Sequence, residues 1–363
     1  MSASPAKPGR RPAPAVVFAL GLASVLAAAT LVRAAVPFPA EDAIDLRLEH
    51  LLAPGARYDV VFFGSSVVRR GVVPEIVDAE LARRGTRLRS FNMAATGSQP
   101  FETDHLVSIV LGGMERPPRL VVVEALSPRF ESLLPPANAY GDKLVYWHTP
   151  ANTARVLRAR ARARVAGGPG GSAARHLKHA LFRFAAVGQA ERIAARRLWP
   201  PDPGARAAIA ANRGFEPLAP PPGEPERFVP PPGWAAALAG LDARNRATPA
   251  ERTLDPEWIA GQIERIHEAD SEVVYLVGPS LRANAEVHWL ARDGRLPNLL
   301  AFDSATRHPE LFAPSLRRDP IHLNEAGARA WSHELGARLA EWLAEHEPGT
   351  ADRAAGARGA TSG

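Results

Sequence analysis

The chain has 363 residues, a length that suits one large domain or two of ordinary size. Hydrophobic residues make up 46% and charged residues 23%, which excludes a fully disordered chain and a multi-span membrane protein. The formal net charge is only +6, and no stripe of Lys and Arg alternates with aromatic residues, so nucleic-acid binding is not predicted. Cysteine is absent, which excludes disulfides, thiolate nucleophiles and Cys-based zinc sites.

An apolar segment near the N-terminus predicts a membrane anchor. Residues 13–32 are uncharged, and a helix of about 20 residues spans about 30 Å of hydrocarbon. Three basic residues that should stay in the cytoplasm precede it: Lys7, Arg10 and Arg11. We therefore predict that residues 1–36 form a cytoplasmic N-terminus and a single-pass anchor in the inner-membrane lipid, with the rest of the chain extracytoplasmic. The alternative is a signal peptide cleaved at Val32-Arg33-Ala34, which leaves a secreted protein.

After the anchor, helical patterns alternate with short apolar runs. Residues 41–52 predict an amphipathic helix, and residues 58–63 predict a strand that is apolar on both faces, as in a central parallel sheet. The same patterns continue as a helix, a strand, a helix and a strand at 74–84, 88–91, 101–111 and 120–123. This alternation indicates a parallel sheet with helices on both faces.

The pattern stops between about 135 and 250, which we interpret as a long insertion with some helix and irregular, proline-rich loops. Its basic run at 155–164 is interpreted as a solvated helix face, with contact to anionic lipid or polymer as the alternative. Regular patterns then resume as a helix, two strands and a terminal helix at 258–269, 273–277, 298–302 and 324–345. Residues 348–363 are small and polar, which predicts a disordered tail.

Together these elements predict an α/β fold, a three-layer sandwich with a central parallel sheet of about five strands, in a domain that spans residues 37–347. Three polar segments fall at the sheet edge where active sites of open parallel sheets lie: Gly64-Ser65-Ser66, 92–97 and 319–324. A serine hydroxyl needs a nearby base to become a nucleophile, and histidine is the natural base near neutral pH. Asp319 can lie beside His322 in one turn and hold its other ring nitrogen.

In order and spacing these segments resemble the SGNH, or GDSL-like, hydrolase superfamily, whose fold is flavodoxin-like. The similarity covers residues 58–134 and 271–343. It implies a catalytic triad of Ser66, His322 and Asp319. It also implies an oxyanion hole formed by the backbone N–H groups of Ser66 and Gly97. The Gly-Ser-Ser variant resembles membrane-anchored, extracytoplasmic branches, which include alginate O-acetyltransferase-like proteins and proteins of teichoic-acid D-alanylation.

One departure from that family concerns its third block, G-x-N-D, whose Asn side chain contributes to the oxyanion hole. The matching strand here runs into Glu124 and Ala125, so no Asn is present at that place. Ser127 and Arg129 are nearby in sequence, but neither is predicted to replace it. The loss of one oxyanion donor typically slows catalysis by about 10²–10³-fold.

The resemblance implies an extracytoplasmic serine esterase or O-acyltransferase that acts on acyl esters, typically acetyl, of a cell-envelope or secreted glycan. A membrane O-acyltransferase that carries acyl groups outward is the implied partner, and no cofactor or metal is expected. His176 and His179 stand at i, i+3 spacing, but no carboxylate with ligand spacing accompanies them. Two alternatives stay open: a catalytically weak or inactive protein that binds glycan or scaffolds an envelope complex, and a lipase that acts on membrane lipids.

Overall fold

The computed structural model describes residues 13–35, 42–128, 142–163, 170–187, 202–218 and 228–346. Within these ranges one helix, α1 (Pro14–Ala35), is long and apolar enough to cross a membrane, and its side chains are almost all exposed. The single apolar helix that the sequence predicts is therefore present, and a membrane span and a signal sequence fit it equally. The basic residues before α1 and the tail 348–363 lie outside the described residues.

Five parallel strands form the centre of an α/β fold. In chain order, β1 to β5 are Val60–Phe63, Ser90–Asn92, Leu120–Glu124, Glu272–Val277 and Leu299–Ala301. Their spatial order is β2-β1-β3-β4-β5, which places the topological switch point between β1 and β3, where open sheets of this kind bind ligands. The predicted class, a parallel sheet of about five strands between two helical layers, is confirmed.

The helices occupy the connections between the strands. Before the insertion they are α2 to α5: Asp42–Leu51, Ser66–Gly71, Pro74–Arg83 and Pro100–Gly113. The predicted insertion contains α6 to α11: Asp142–Tyr146, Pro150–Arg162, Gly170–Phe184, Pro203–Ala211, Trp234–Ala239 and Leu241–Arg246. After it come α12 to α14: Pro256–His267, Ala285–Arg292 and Glu325–His346.

Two hydrophobic layers sandwich the sheet. One face packs against α2, α5, α12 and α13 through side chains such as Leu48, Leu106 and Ile259. The other face packs against α3, α4 and α14, and its largest fully buried side chain is Trp331. A Cβ on Gly71 would lie 2.5 Å from the Trp331 ring, so this contact requires glycine at the end of α3.

The insertion is attached to β2, the edge strand. The Asn92 N–H donates to the Arg213 carbonyl oxygen at 2.9 Å. The next residue, Gly214, has a φ of +83° and approaches so closely that a Cβ would lie 2.1 Å from the Asn92 carbonyl oxygen. Only glycine satisfies both conditions. Where it is described, the insertion is largely helical and covers an edge that would otherwise stay open.

The structure differs from the sequence-based expectation in two further respects. The sequence analysis does not predict the helices α3 and α13. In α3, Ser66 is followed by the β-branched Val67 and Val68, which disfavour a helix locally; the helix forms because Val68 is buried in the core. The basic run on α7 is only partly solvated, because Arg160 is buried and Arg155 lies 3.8 Å from the buried Asp104.

Candidate active site

Ser66 lies where β1 ends and α3 begins. The Ser65 side chain caps the helix, because its Oγ accepts the Val67 N–H at 3.3 Å, and Ser66 is therefore the first helical residue. Gly64 is required by close approach, since a Cβ there would lie 2.6 Å from Oε2 of Glu124. The turn thus presents the half-buried Ser66 side chain at the carboxyl edge of the sheet.

His322 reaches Ser66 across 256 positions of sequence. Its Nε2 lies 2.8 Å from Ser66 Oγ, and its Nδ1 lies 2.7 Å from Oδ2 of Asp319. The other Asp319 oxygen accepts the backbone N–H groups of Ile321 at 2.6 Å and His322 at 2.8 Å. An ionised Asp319 fixes the proton on Nδ1 and leaves Nε2 to accept the serine proton. The three triad residues that the sequence predicts therefore lie in one hydrogen-bonded chain.

The environment of Asp319 favours its ionised form. Partial burial acts to raise its pKa, but hydrogen bonds from the His322 ring and from the backbone N–H groups of His322 and Ile321 outweigh it and lower the pKa to about 2. Asp319 is thus an anion at every pH where a histidine base is neutral. It is suited to orienting the imidazole and to stabilising its protonated form.

Arg317 holds the loop that carries Asp319 and His322, and nothing in the sequence pattern signals this role. Its side chain is fully buried, and burial lowers its pKa to about 10. Its guanidinium donates to the carbonyl oxygens of Leu311 at 3.0 Å, Asp319 at 3.1 Å and Pro320 at 3.1 Å. A buried cation that bonds several carbonyls fixes the loop in one conformation.

Gly97 lies in the exposed turn after β2, with a φ of +67°. Two hydrogen bonds join this turn to the serine turn: Ala95 N–H donates to the Gly64 carbonyl at 2.9 Å, and Arg69 Nη1 donates to Thr96 Oγ1 at 2.9 Å. These hydrogen bonds hold the turn that contains Gly97 next to α3, the helix that starts at Ser66. Such a turn can direct a backbone donor at a bound oxyanion.

The backbone N–H groups of Ser66 and Gly97 have no acceptor among the described residues. Neither N–H belongs to the hydrogen-bond ladder of the sheet, and both residues retain solvent access. Unpaired backbone donors at an active site can bind the oxygen of a tetrahedral intermediate. Their role in an oxyanion hole stays a prediction.

Glu124 ends the strand after which the resembled family is expected to have its Asn. It is buried at the end of β3, and its Oε2 accepts the Ser65 N–H at 2.5 Å. Burial raises the pKa of its carboxyl, and this effect exceeds the stabilisation from the Ser65 hydrogen bonds. Ser127 is half-buried and makes no hydrogen bond to Ser66 or His322, and Arg129 lies outside the described residues. Glu124 thus holds the serine turn through the Ser65 N–H. It lacks the amide group with which an Asn could donate a hydrogen bond to a substrate.

The insertion contributes a carboxylate, Glu216, that binds α3. Its oxygens accept from Arg69 Nε at 3.1 Å, from Arg70 Nη1 at 2.7 Å and from Arg47 Nη2 at 3.4 Å. Partial burial acts to raise the Glu216 pKa, but the hydrogen bond and charge of Arg69, with the charges of the other two arginines, lower it. Sequence reasoning misses this residue because its partners lie about 150 positions away.

Two groups of possible metal ligands lie outside the triad. His308, Glu310 and Glu334 offer ligand atoms within 4.8 Å of one another at the surface, but Glu310 is exposed and the group has no contact with the triad among the described residues. His176 and His179 are buried on α8 beside His148, whose Nε2 lies 2.9 Å from His176 Nδ1.

Burial, with the neighbouring histidines, lowers the pKa of His148 to about 2 and that of His176 to about 4. These rings are therefore neutral at physiological pH and pack as core side chains. We assign no metal to either group.

Comparison of the chain with protein-family models finds no match, and a search of curated proteins finds none either. Function is therefore inferred from the geometry at the edge of the sheet. That geometry defines a serine turn, a histidine within hydrogen-bond reach of it and an aspartate that orients the histidine.

Proposed function

We propose that this chain is an SGNH-type serine esterase or O-acyltransferase. The observation that carries the proposal is the hydrogen-bonded chain Ser66–His322–Asp319, in which the two contacts measure 2.8 Å and 2.7 Å. Ser66 and His322 both keep solvent access, so their hydrogen bond contributes little to the stability of the fold. A functional role explains why these distant residues lie together. A nucleophile, a base and an orienting carboxylate are the parts that acyl transfer requires.

In the proposed reaction, Ser66 Oγ attacks the carbonyl carbon of an acyl ester while His322 Nε2 takes the serine proton. The carbonyl electrons move to oxygen, which the N–H groups of Ser66 and Gly97 stabilise. Collapse of this intermediate expels the alcohol, which leaves with the proton from His322, and an acyl-serine remains. Water or a sugar hydroxyl then attacks the acyl-serine by the reverse sequence, which gives hydrolysis or transfer.

The proposed substrate is an acyl ester, typically an acetyl ester, of a cell-envelope or secreted glycan. Partial exposure of Asp319 and His322 supports this choice, because a polymer needs an open site. The helix α1 supports a place at the membrane, with the catalytic domain outside the cytoplasm and a membrane O-acyltransferase as the donor partner. The identity of the acyl group and of the partner rests on the family resemblance.

Labelling with a serine-directed fluorophosphonate tests the proposal directly. The full-length protein in detergent should be labelled at Ser66, and Ser66→Ala should abolish the signal because Ser66 carries the hydroxyl that His322 contacts. His322→Ala should slow labelling by about 10²–10⁴-fold, which is the usual worth of a positioned base. Release of acetyl from p-nitrophenyl acetate should follow the same order.

Ser315→Ala is the matched control, since it removes an exposed hydroxyl on the segment before Asp319 and leaves Ser66, His322 and Asp319 intact; it should still be labelled. Equal labelling of the wild-type protein and Ser66→Ala would contradict the proposal. If neither protein is labelled, the alternative applies, namely a glycan-binding or scaffolding protein of the same fold. The absence of the family's Asn from residues 124–129 is the observation that favours that alternative.

A further inference from the structure

The helix α8 exposes an apolar stripe that the fold does not use. Outside α1, six large apolar side chains of the described residues are strongly exposed, and four of them lie on α8 and the turn that follows it. These four define the α8 surface: Leu177 (55% exposed), Leu181 (60%), Phe184 (51%) and Val187 (50%). The spacing of three or four residues places Leu177, Leu181 and Phe184 on one side of the helix, and Val187 follows in the turn.

The opposite side of α8 packs onto the protein. His176 and His179 are buried there against His148, and Arg183 donates a hydrogen bond to the Tyr146 carbonyl. The helix is therefore anchored without its apolar stripe. A large apolar surface that stability does not need indicates an external partner.

An open apolar groove runs beside the stripe. It has a volume of about 800 Å³ and lies between the first half of α7 and the last half of α8. Leu157 and Ala154 line one wall, and Leu177, Leu181 and Phe184 line the other. The loops that carry Ser66 and His322 contribute nothing to its lining, so the groove is separate from the proposed active site.

The two helices that line the groove are basic. The helix α7 carries four basic residues and α8 carries three, and neither helix carries an acidic residue. Arg155 and Arg162 pair with carboxylates of the fold. Arg158, on the turn of α7 after Leu157, and Lys178 of α8 have exposed side chains. Cations that flank an apolar stripe are the pattern of helices that lie in the headgroup region of anionic bilayers.

We propose that the α8 surface binds an anionic lipid bilayer and gives the protein a second membrane contact besides α1. In this arrangement α8 lies parallel to the membrane, its leucines and phenylalanine enter the acyl boundary, and the exposed Arg158 and Lys178 face lipid phosphates. Charge complementarity selects this occupant, because two α8 surfaces of equal positive sign would repel one another. The inference is independent of the esterase activity.

The absence of cysteine allows a site-specific test in the full-length chain. A single Leu181→Cys variant is labelled with an environment-sensitive NBD probe and reconstituted in nanodiscs of phosphatidylcholine with phosphatidylglycerol. The NBD emission should shift to the blue, and nitroxide-labelled lipid should quench it about twofold, as expected for a residue at the acyl boundary. Ala344→Cys is the control, because it lies exposed on α14, on the other face of the sheet.

A second pair of variants tests whether the apolar stripe is responsible. Phe184→Glu in the Leu181→Cys protein should remove the quenching, whereas Val229→Glu, at an apolar residue exposed elsewhere, should not. Quenching at Leu181 no greater than at Ala344 would overturn the proposal, as would a blue shift without lipid quenching, which indicates a protein partner. Equal quenching in discs of phosphatidylcholine alone would overturn the assignment to an anionic surface.

Discussion

At the scale of single residues, Glu124 is the side chain that most distinguishes this site. A buried carboxyl beside a serine turn ordinarily costs stability when it ionises. Here burial raises its pKa, and its Oε2 accepts the Ser65 N–H. The neutral acid can keep this hydrogen bond while adding no negative charge next to the proposed oxyanion hole.

We expect Glu124→Gln to make stability less dependent on pH. Because the folded pKa of Glu124 lies above the ordinary value of 4.5, its stabilising contribution is complete below that value and is lost as pH rises through the folded pKa. The amide of Gln accepts the same N–H and cannot ionise. The Tm of wild type should therefore fall relative to that of the variant as the pH rises above about 4.5, by a few degrees.

Thermal unfolding of both proteins across that pH range measures the effect. Glu75→Gln, which alters an exposed carboxyl on α4, serves as the control and should follow the wild-type curve. Parallel curves for wild type and Glu124→Gln would show that Glu124 is ionised in the folded protein, contrary to this expectation.

The triad could be predicted from the sequence because each member follows or precedes a recognisable strand or helix. Ser66 comes directly after the apolar run of β1, and Asp319 and His322 come directly before the terminal helix. Arg317 could not be predicted, because its partners are backbone carbonyls whose positions only the folded loop defines. Arginines are common in this chain, and no local pattern marks this one as buried.

At the scale of elements, the insertion and the serine helix are connected through Glu216. Arg69 of α3 donates to Glu216 and also to Thr96, the neighbour of Gly97. A single guanidinium thus joins the insertion, the helix that starts at Ser66 and the turn that carries the second proposed oxyanion donor. Small errors in such positioning cost large factors in rate.

We therefore expect Glu216→Gln to slow fluorophosphonate labelling by about tenfold. The reason is that Arg69, which also binds Thr96 in the turn of Gly97, loses the carboxylate that fixes its position. The second-order labelling rate is measured at a temperature where circular dichroism shows the variant to be folded. Glu49→Gln is the matched control, since Glu49 also pairs with an insertion residue, Arg206 at 2.8 Å, but contacts no part of α3. Wild-type labelling by Glu216→Gln would contradict a positioning role for the insertion.

The elements themselves were predictable where periodicity and length agree. The strands β1, β3 and β4 and the helix α14 lie within a few residues of their predicted bounds, because buried apolar runs and a long amphipathic pattern are strong signals. The helix α3 is too short for periodicity to appear, and its β-branched residues favour a strand locally. The insertion helices depend on tertiary contacts such as that of Gly214 with the edge of β2.

At the scale of the whole molecule, the orientation of α1 and of the domain relative to the membrane can be tested. We expect the domain outside the cytoplasm, because the basic residues that precede α1 favour the cytoplasmic side. Single cysteines at Ala344 and at Ser4 report both ends of the chain in an otherwise cysteine-free protein. In spheroplasts, an impermeant maleimide should label Ala344→Cys, and should label Ser4→Cys only after lysis.

The same pair separates the anchor from the signal peptide, since cleavage after α1 would remove the Ser4→Cys label from the mature protein. Labelling of Ser4→Cys but not of Ala344→Cys before lysis would reverse the expected orientation and with it the proposed compartment. The α8 surface, placed on the domain side, would then face the other leaflet.

The separation of 256 positions between Ser66 and His322 has a consequence for biosynthesis. A chain exported from its N-terminus presents the serine early and the imidazole only when almost all of it has crossed. If the domain is exported as proposed, the hydroxyl has no imidazole beside it until then, so the proposed esterase would stay inactive in a partly translocated chain. Esterase activity would begin only after the segment that carries His322 has been translocated and has folded against Ser66.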